Sequence, residues 1–302
     1  MTDLPFRLPP LPGSQSGPVW TGRGFRIGSQ RVGVLRYPVL PSGWTDELTG
    51  FHEAAAGEVH FIDVASRQNA LDALRKWAGW GDSGRPVIVD VGCSSGFMIA
   101  DLQRAFPRAC VVGIDYVNGP LEALAKKNAA IPLIQCDIRQ CPLPPESVDA
   151  VTVLNVLEHI DDDAEAIEQI YRILRPGGIV FAEVPAGPQL YDVYDQLLLH
   201  YRRYSMAHLA KLFAKFEVLK RSHLGFCLYP GFWLVKKHSQ RRFARQSKGA
   251  AEVVKARIRA TGSNHALRVL INLERLFGKL CSWPFGIRCF IAARKAHKIT
   301  FV

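Results

Sequence analysis

No run in the 302-residue chain approaches the ~20 apolar residues that a membrane-crossing helix requires. The longest candidate, residues 224–235, is too short and is interrupted by Pro230 and Gly231. Residues 1–18 hold five prolines and no apolar stretch of the kind a signal peptide carries, so residues 1–22 are expected to form a Pro-rich lead without order. The seven cysteines form no C-x-x-C pair and are odd in number. That argues against a disulfide framework or a zinc site and for the reduced thiols of a cytoplasm. Acidic residues are scarce, 27 against 38 Lys and Arg, giving a net charge of +11. With 48% hydrophobic content the chain can still bury a full core in one or two domains.

The most informative segment is V-I-V-D-V-G-C-S-S-G at 87–96. Val87, Ile88, Val89 and Val91 suit a strand buried on both faces, as parallel sheets require. Gly92 and Gly96 permit a tight turn and close backbone approach, so the helix starting near Phe97 can direct its N-terminus at a ligand. A second apolar run, 110–114, ends in Asp115, 25 residues beyond Asp90, where an acid can accept hydrogen bonds from ribose hydroxyls. A third, 131–136, ends in Asp137. The turn lacks the G-x-G-x-x-G of a nicotinamide-dinucleotide site.

This ordered series resembles the class I S-adenosylmethionine-dependent methyltransferases over about residues 63–223. The resemblance runs through D-V-G-C-S-S-G at 90–96, G-I-D at 113–115, C-D-I at 136–138, V-D-A-V-T-V-L-N-V-L-E-H-I at 148–160 and R-I-L-R-P-G-G at 172–178. Ser94 stands where the commonest form of the first motif has a glycine. The resemblance implies an α/β, Rossmann-like, mostly parallel sheet with an antiparallel seventh strand, and S-adenosyl-L-methionine as cofactor. It further implies cofactor contacts at Asp90, Gly92, Cys93, Ser94, Gly96, Asp115, Tyr116, Asp137, Ile138 and Asn155. A helix at 63–77, preceded by His60 and Phe61, would cap the pocket.

Residues 23–82 are therefore expected to form an N-terminal extension with its cap helix, and 83–302 the methyltransferase core. Asp162 and Glu165 suggest a capping box for a helix reaching Leu174. Residues 217–224 read as a sixth strand and 287–293 as the antiparallel seventh. Residues 225–286 then form a helical insertion between the two. Within it, 236–259 carries nine Lys or Arg against Glu252, which suits either a solvated face or an anionic partner. A helix at 266–280 has apolar residues on nearly all sides and is expected to pack into the core or to wall a cleft. Beside Phe226, Leu228, Tyr229, Phe232 and Trp233 it also has the makings of a lipid-facing surface. A cytoplasmic protein with peripheral contact to an anionic membrane through 225–286 is the expectation.

Methyl transfer from a sulfonium is an in-line displacement at carbon, so the protein must align donor and acceptor and, where needed, remove a proton. Asn155, Glu158 and His159 follow the fourth strand, where they would lie beside the methyl group; fixing the loop is the alternative role for Glu158 and His159. Asn155 occupies the first acidic position of the E-x-x-E-H segment that binds a divalent metal in some relatives, and no metal is expected. H-Y-R-R-Y-S at 200–205 resembles a segment near the acceptor in related bacterial enzymes. It offers His200 as a general base and Arg202, Arg203 and Tyr204 for acceptor binding, or alternatively a salt-bridged lid. The expected activity is O- or C-methylation of a small-molecule, lipid-linked or saccharide acceptor. A nucleic-acid methyltransferase and a non-catalytic membrane-surface protein are the competing functions. The first lacks an N-P-P-Y-like turn at 155–158 and a recognisable RNA-binding module.

Overall fold

A computed structural model describes residues 4–39, 45, 47, 49, 58–80, 84–243 and 265–297. Three short strands, β1 (Val19–Trp20), β2 (Phe25–Ile27) and β3 (Gln30–Val32), form an antiparallel meander. β4 (Val34–Arg36) and helix α1 (Phe61–Trp77) precede the central unit. Strand and helix then alternate: β5 (Val87–Val91), α2 (Phe97–Ala105), β6 (Cys110–Asp115), α3 (Asn118–Lys127), β7 (Leu133–Gln135), β8 (Val148–Leu154), α4 (Asp163–Ile173) and β9 (Leu174–Pro185). The remainder comprises α5 (Val193–Leu197), α6 (Met206–Leu212), β10 (Glu217–Leu224), α7 (Tyr229–Phe243), α8 (His265–Gly278) and β11 (Arg288–Arg294).

The main sheet has eight strands in the order β10-β11-β9-β8-β5-β6-β7-β4. β11 runs antiparallel to both β9 and β10, with Ile291 opposite Ala182 and Arg221. The expected seventh strand and the insertion before it are thus present, the insertion contributing α7 and α8. β4, within the strand-like stretch at 31–37, pairs in parallel with β7 and adds an eighth strand at the sheet edge. β6 and β8 flank β5 on opposite sides, which makes the end of β5 the point where strand order reverses. Ligands of open α/β sheets bind in the crevice outside such a point.

All five residues of β5 and all six of β6 are buried, because helices cover both faces of the sheet. Asp162 caps α4 by accepting from the Glu165 amide at 3.0 Å. The reciprocal two-acid box occurs instead at α5, between Asp192 and Asp195.

Three expectations change. The lead is not without order over its described residues: Leu8 and Trp20 are buried in the main hydrophobic cluster, against which Leu4, Phe6 and Leu11 also pack. The apolar helix is not submerged. α8 buries Ile271 and Glu274 but exposes Val269, Leu270, Leu273, Leu276 and Phe277, because it lies on the outside of α1 with one face only covered. Lys236, counted with the basic strip, is not solvated but 5% exposed and ion-paired. Arg245, Lys248, Lys255, Arg257 and Arg259 lie outside the described residues.

Leu8→Ala should therefore lower stability by about 2–3 kcal/mol, as truncating a buried leucine does. Urea unfolding checks this; an unchanged midpoint would mean that the lead does not pack.

Candidate active site

A cavity of about 1000 Å³ opens at the reversal point. That is at the upper end of the roughly 300–1,000 Å³ typical of small-molecule sites, room for both a cofactor and an acceptor. One end is built by consecutive strand tips. Asp90 is buried and accepts from Thr152 Oγ1 at 2.7 Å, because the two residues sit side by side in the β5–β8 register. Burial raises its pKa to about 7, a rise opposed by the Thr152 hydrogen bond and reinforced by Asp115.

Gly92 (φ +72°) turns the chain so tightly that a Cβ there would lie 2.3 Å from Val156 Cγ2. Gly96 (φ +80°) starts α2 from a left-handed conformation. Ser94 has φ +45°, so the residue replacing glycine occupies the region glycine would occupy at lower cost. Its amide donates to Asp115 Oδ2 at 2.8 Å and the Val117 amide to Oδ1 at 2.9 Å, which fixes the Asp115 carboxylate across the turn. Asp137 caps the turn Ile138–Gln140 and pairs with Arg139 at 2.7 Å. Cys93, Tyr116, Ile138 and Asn155 complete this end; burial raises the Cys93 thiol pKa, so it acts as a small apolar wall residue.

The composition of this end discriminates between ligands. Three aspartates on adjacent strand tips would repel a pyrophosphate, but they match a ligand that offers ribose hydroxyls, amino groups and a sulfonium. A methyltransferase-domain family description matches residues 89–182, spanning the glycine turn to β9. The chain is 29% identical over 172 residues to a ubiquinone/menaquinone biosynthesis C-methyltransferase of Desulfotalea psychrophila, covering 55% of this chain and 68% of that protein. It is 30% identical over 171 residues to a ubiquinone biosynthesis O-methyltransferase of Pseudomonas putida, covering 53% and 66%. The chain belongs to the class I S-adenosylmethionine-dependent methyltransferases. In fold it is similar to Haemonchus contortus phosphoethanolamine N-methyltransferase 2, solved with S-adenosyl-L-methionine, at a TM-score of 0.51 and 17% identity over 85% of this chain and 62% of that one.

The other end of the methyltransferase cavity is assembled from distant segments. Glu158, in the turn Leu157–His159 after β8, is 1% exposed, and its Oε2 has no hydrogen-bond partner among the described residues. Burial raises its pKa to about 8, so the group is largely a neutral carboxylic acid at neutral pH. The His159 and His200 rings meet edge-on with centroids 4.7 Å apart. His200 Nδ1 lies 2.9 Å from Asp195 Oδ1.

Asp195 is fully buried. Burial alone would raise its pKa, but the His200 hydrogen bond and the charges of Arg203 and Lys236 outweigh that and hold it ionised. An ionised Asp195 selects the tautomer in which His200 Nδ1 carries the proton and Nε2 is a free acceptor. Burial, aided by the nearby Arg203 and Lys236, lowers the His200 pKa despite Asp195, so the ring is neutral at pH 7.

The residues expected to bind the acceptor fare differently. Arg203 lines the cavity, but its guanidinium donates to Asp195 Oδ1 and to the Ala186 and Ile287 carbonyls, which makes it a positioning residue. Arg202 is turned to the Asp161 carbonyl and the Asp163 carboxylate, away from the cavity lining. Tyr204 is wholly buried, with its hydroxyl 2.7 Å from Asp163 Oδ2, and is a packing residue. Tyr201 lines the cavity together with Arg203.

Sequence reasoning missed the Arg288 network, in which the guanidinium pairs with Asp63 and Glu183 and accompanies Ser66, tying α1 to β9 and β11 under the cavity. Nothing in an apolar strand pattern marks Arg288. Asp195 had two signals in the sequence, its place with Tyr191 and Asp192 just before the H-Y-R-R-Y-S segment and the D-x-x-D box at 192–195.

Glu158, His159 and His200 each bring one ligand-type atom within 4.8 Å of the others, the one such trio found among the described residues. Lys236 and Arg203, both bonded to Asp195 next to His200, oppose a cation there.

Asp115→Ala should weaken S-adenosylmethionine binding by about 1–3 kcal/mol, the cost of leaving buried polar groups unpaired. Titration calorimetry beside wild type measures it.

Proposed function

We propose that the chain methylates a small, hydroxyl-bearing acceptor with an apolar body, of the lipid-linked kind, with His200 as general base. The supporting observation is the Asp195–His200 pair, whose unprotonated Nε2 belongs to a buried, neutral imidazole lining the cavity near the loop that follows β8. When bound, S-adenosylmethionine supplies an electrophilic methyl whose bond to sulfur breaks as the bond to the acceptor forms.

The chain's residues do the rest. Asp90, Asp115, Asp137 and the backbone at 92–96 hold the donor. His200 Nε2 takes the hydroxyl proton, and Asp195 stabilises the imidazolium that results. For a ring hydroxyl, the anion so formed can accept the methyl at oxygen, or at an adjacent ring carbon that then loses its own proton to solvent as the ring is restored and the protonated His200 returns its proton to the ring oxygen. Neutral Glu158 can donate a hydrogen bond to an acceptor oxygen. The three cations of this end, Arg203, Lys236 and Arg288, are all paired with protein carboxylates, which favours an uncharged reacting group. Phe61, Ile62, Leu228, Phe232 and Leu267 wall the space beyond, favouring an apolar acceptor body over a saccharide.

His200→Gln should lower kcat about 10²–10⁴-fold with donor binding retained. The wild-type rate should rise with pH through the lowered His200 pKa, below 6.5, and fall near the Glu158 value of about 8. Glu158→Gln, a permanent neutral carboxyl mimic, should remove the alkaline limb while keeping activity at pH 7. Wild-type turnover should persist in excess chelator; loss restored by a divalent ion would assign Glu158, His159 and His200 to a metal instead.

A further inference from the structure

α8 is amphipathic in an unusual sense: both its faces are largely apolar, and only one is covered. Leu267, Ile271, Glu274 and Gly278 follow one another at helical spacing and face inward, with Ile271 packed among Phe61, Ile62, Ala65 and Leu224. The Glu274 carboxylate accepts from the Gly225 and Cys227 amides at 2.7 and 2.9 Å, and Arg275 pairs with Asp72 of α1 at 2.8 Å. These bonds fix the rotation of the helix about its axis.

The opposite face is then necessarily Val269, Leu273 and Leu276, flanked by Leu270 and Phe277, with Leu280 just beyond the helix end. Leu276, Phe277 and Leu280 are 60%, 58% and 90% exposed. Exposed Arg268 and Lys279 border this stripe. Contiguous exposed apolar surface edged by cations is the composition of an interfacial helix.

We infer that this outward face of α8 docks on an anionic lipid bilayer. Charge complementarity selects that occupant. Residues 225–286 contain twelve Lys or Arg against Glu252 and Glu274, a formal +10 of the chain's +11, of which Lys236 is paired with Asp192 and Asp195, and Arg275 and Lys279 with Asp72. A second copy seated symmetrically on the same face would bring cations against cations. An RNA would leave the leucines in water. A bilayer with acidic headgroups takes both features at once.

The docked face is also continuous with the cavity. Leu267 of α8 lines it, as do Gly231 and Val235 of α7, which are themselves exposed, and Trp233 and Leu234 beside them are exposed too. A lipid-borne acceptor would enter the cavity past these residues directly from the bilayer; this second step rests on the acceptor reading above, whereas docking does not.

The test is flotation of the full chain with vesicles of phosphatidylcholine alone or mixed with phosphatidylglycerol, over a salt titration. Wild type should float with the anionic vesicles, less so as salt rises, and poorly with phosphatidylcholine alone. The double variant Leu273→Glu/Leu276→Glu should lose at least about tenfold in partitioning, since acids on the apolar face remove burial and oppose the headgroups. Its S-adenosylmethionine affinity by calorimetry and its thermal unfolding should match wild type, because both substituted side chains point away from the core. Arg268→Glu should reproduce the loss on anionic vesicles alone. Equal flotation of the double variant, or no flotation of wild type, would overturn the inference. So would a wild-type dimer in sedimentation that the double variant dissolves, which would give the face to a second copy. Absence of S-adenosylmethionine binding in wild type would instead defeat the catalytic reading and leave docking standing.

Discussion

The site depends on one buried carboxylate. Asp195 receives His200 Nδ1 and Arg203 Nη1 on one oxygen, and Lys236 Nζ and the Asp192 amide on the other. Those donors come from the H-Y-R-R-Y loop, from the insertion helix α7 and from the cap of α5. A charge removed from water is tolerable only with such complete compensation. Every partner is thereby held in one place: the imidazole with its tautomer, the arginine against β9 and β11, and the insertion against the core. Lys236 also bonds Asp192 Oδ1 at 2.6 Å, so the insertion is anchored by a buried ion pair as well as by apolar contact.

The two ends of the cavity follow different structural rules. The end with the glycine turn lies at successive tips of parallel strands, where β5, β6 and β7 deliver Asp90, Asp115 and Asp137; the Thr152 hydroxyl fixes the first carboxylate and backbone amides the other two. This end is a product of local order. The acceptor end is a product of long-range closure: α1, the turn after β8, the loop at 191–204 and α7 converge from parts of the chain up to nearly 180 residues apart. The buried Arg288–Asp63–Glu183 group holds the first of these to the sheet. Electrostatics in such a dry place cut both ways. Burial keeps Glu158 protonated at neutral pH, where water would ionise it, and moves His200 further toward its unprotonated form.

Legibility in the sequence followed the same division. The strands at 87–91, 110–115, 217–224 and 288–294 and the turn at 92–96 were readable because apolar runs and glycine punctuation are local properties. The three strand-tip aspartates were readable because strand tips have a fixed relation to those runs. Arg202 and Tyr204 lie apart from the cavity lining while Arg203 lines it with its guanidinium engaged, a difference a motif does not carry, because it shows which polar residues are adjacent in the chain and not which are consumed by partners: Asp163 takes Arg202 and Tyr204, and Asp195 takes Arg203. Leu8 was missed for a related reason, since a Pro-rich segment has no periodicity from which to foresee the groove it fills.

By itself, the sequence determined the parallel sheet, the glycine turn, the row of three aspartates and the place of the insertion between β10 and β11, all of which follow from local hydrophobic pattern and turn chemistry. Only the tertiary structure decided that Asp195 orients His200, that Lys236 is a buried latch and not part of a solvated strip, and that α8 turns its leucines outward. Those outcomes depend on which of two similar faces or several similar charges finds a partner. The bonds Glu274 and Arg275 make to residues distant in the chain settle that choice for α8, and no pattern within 265–278 contains it.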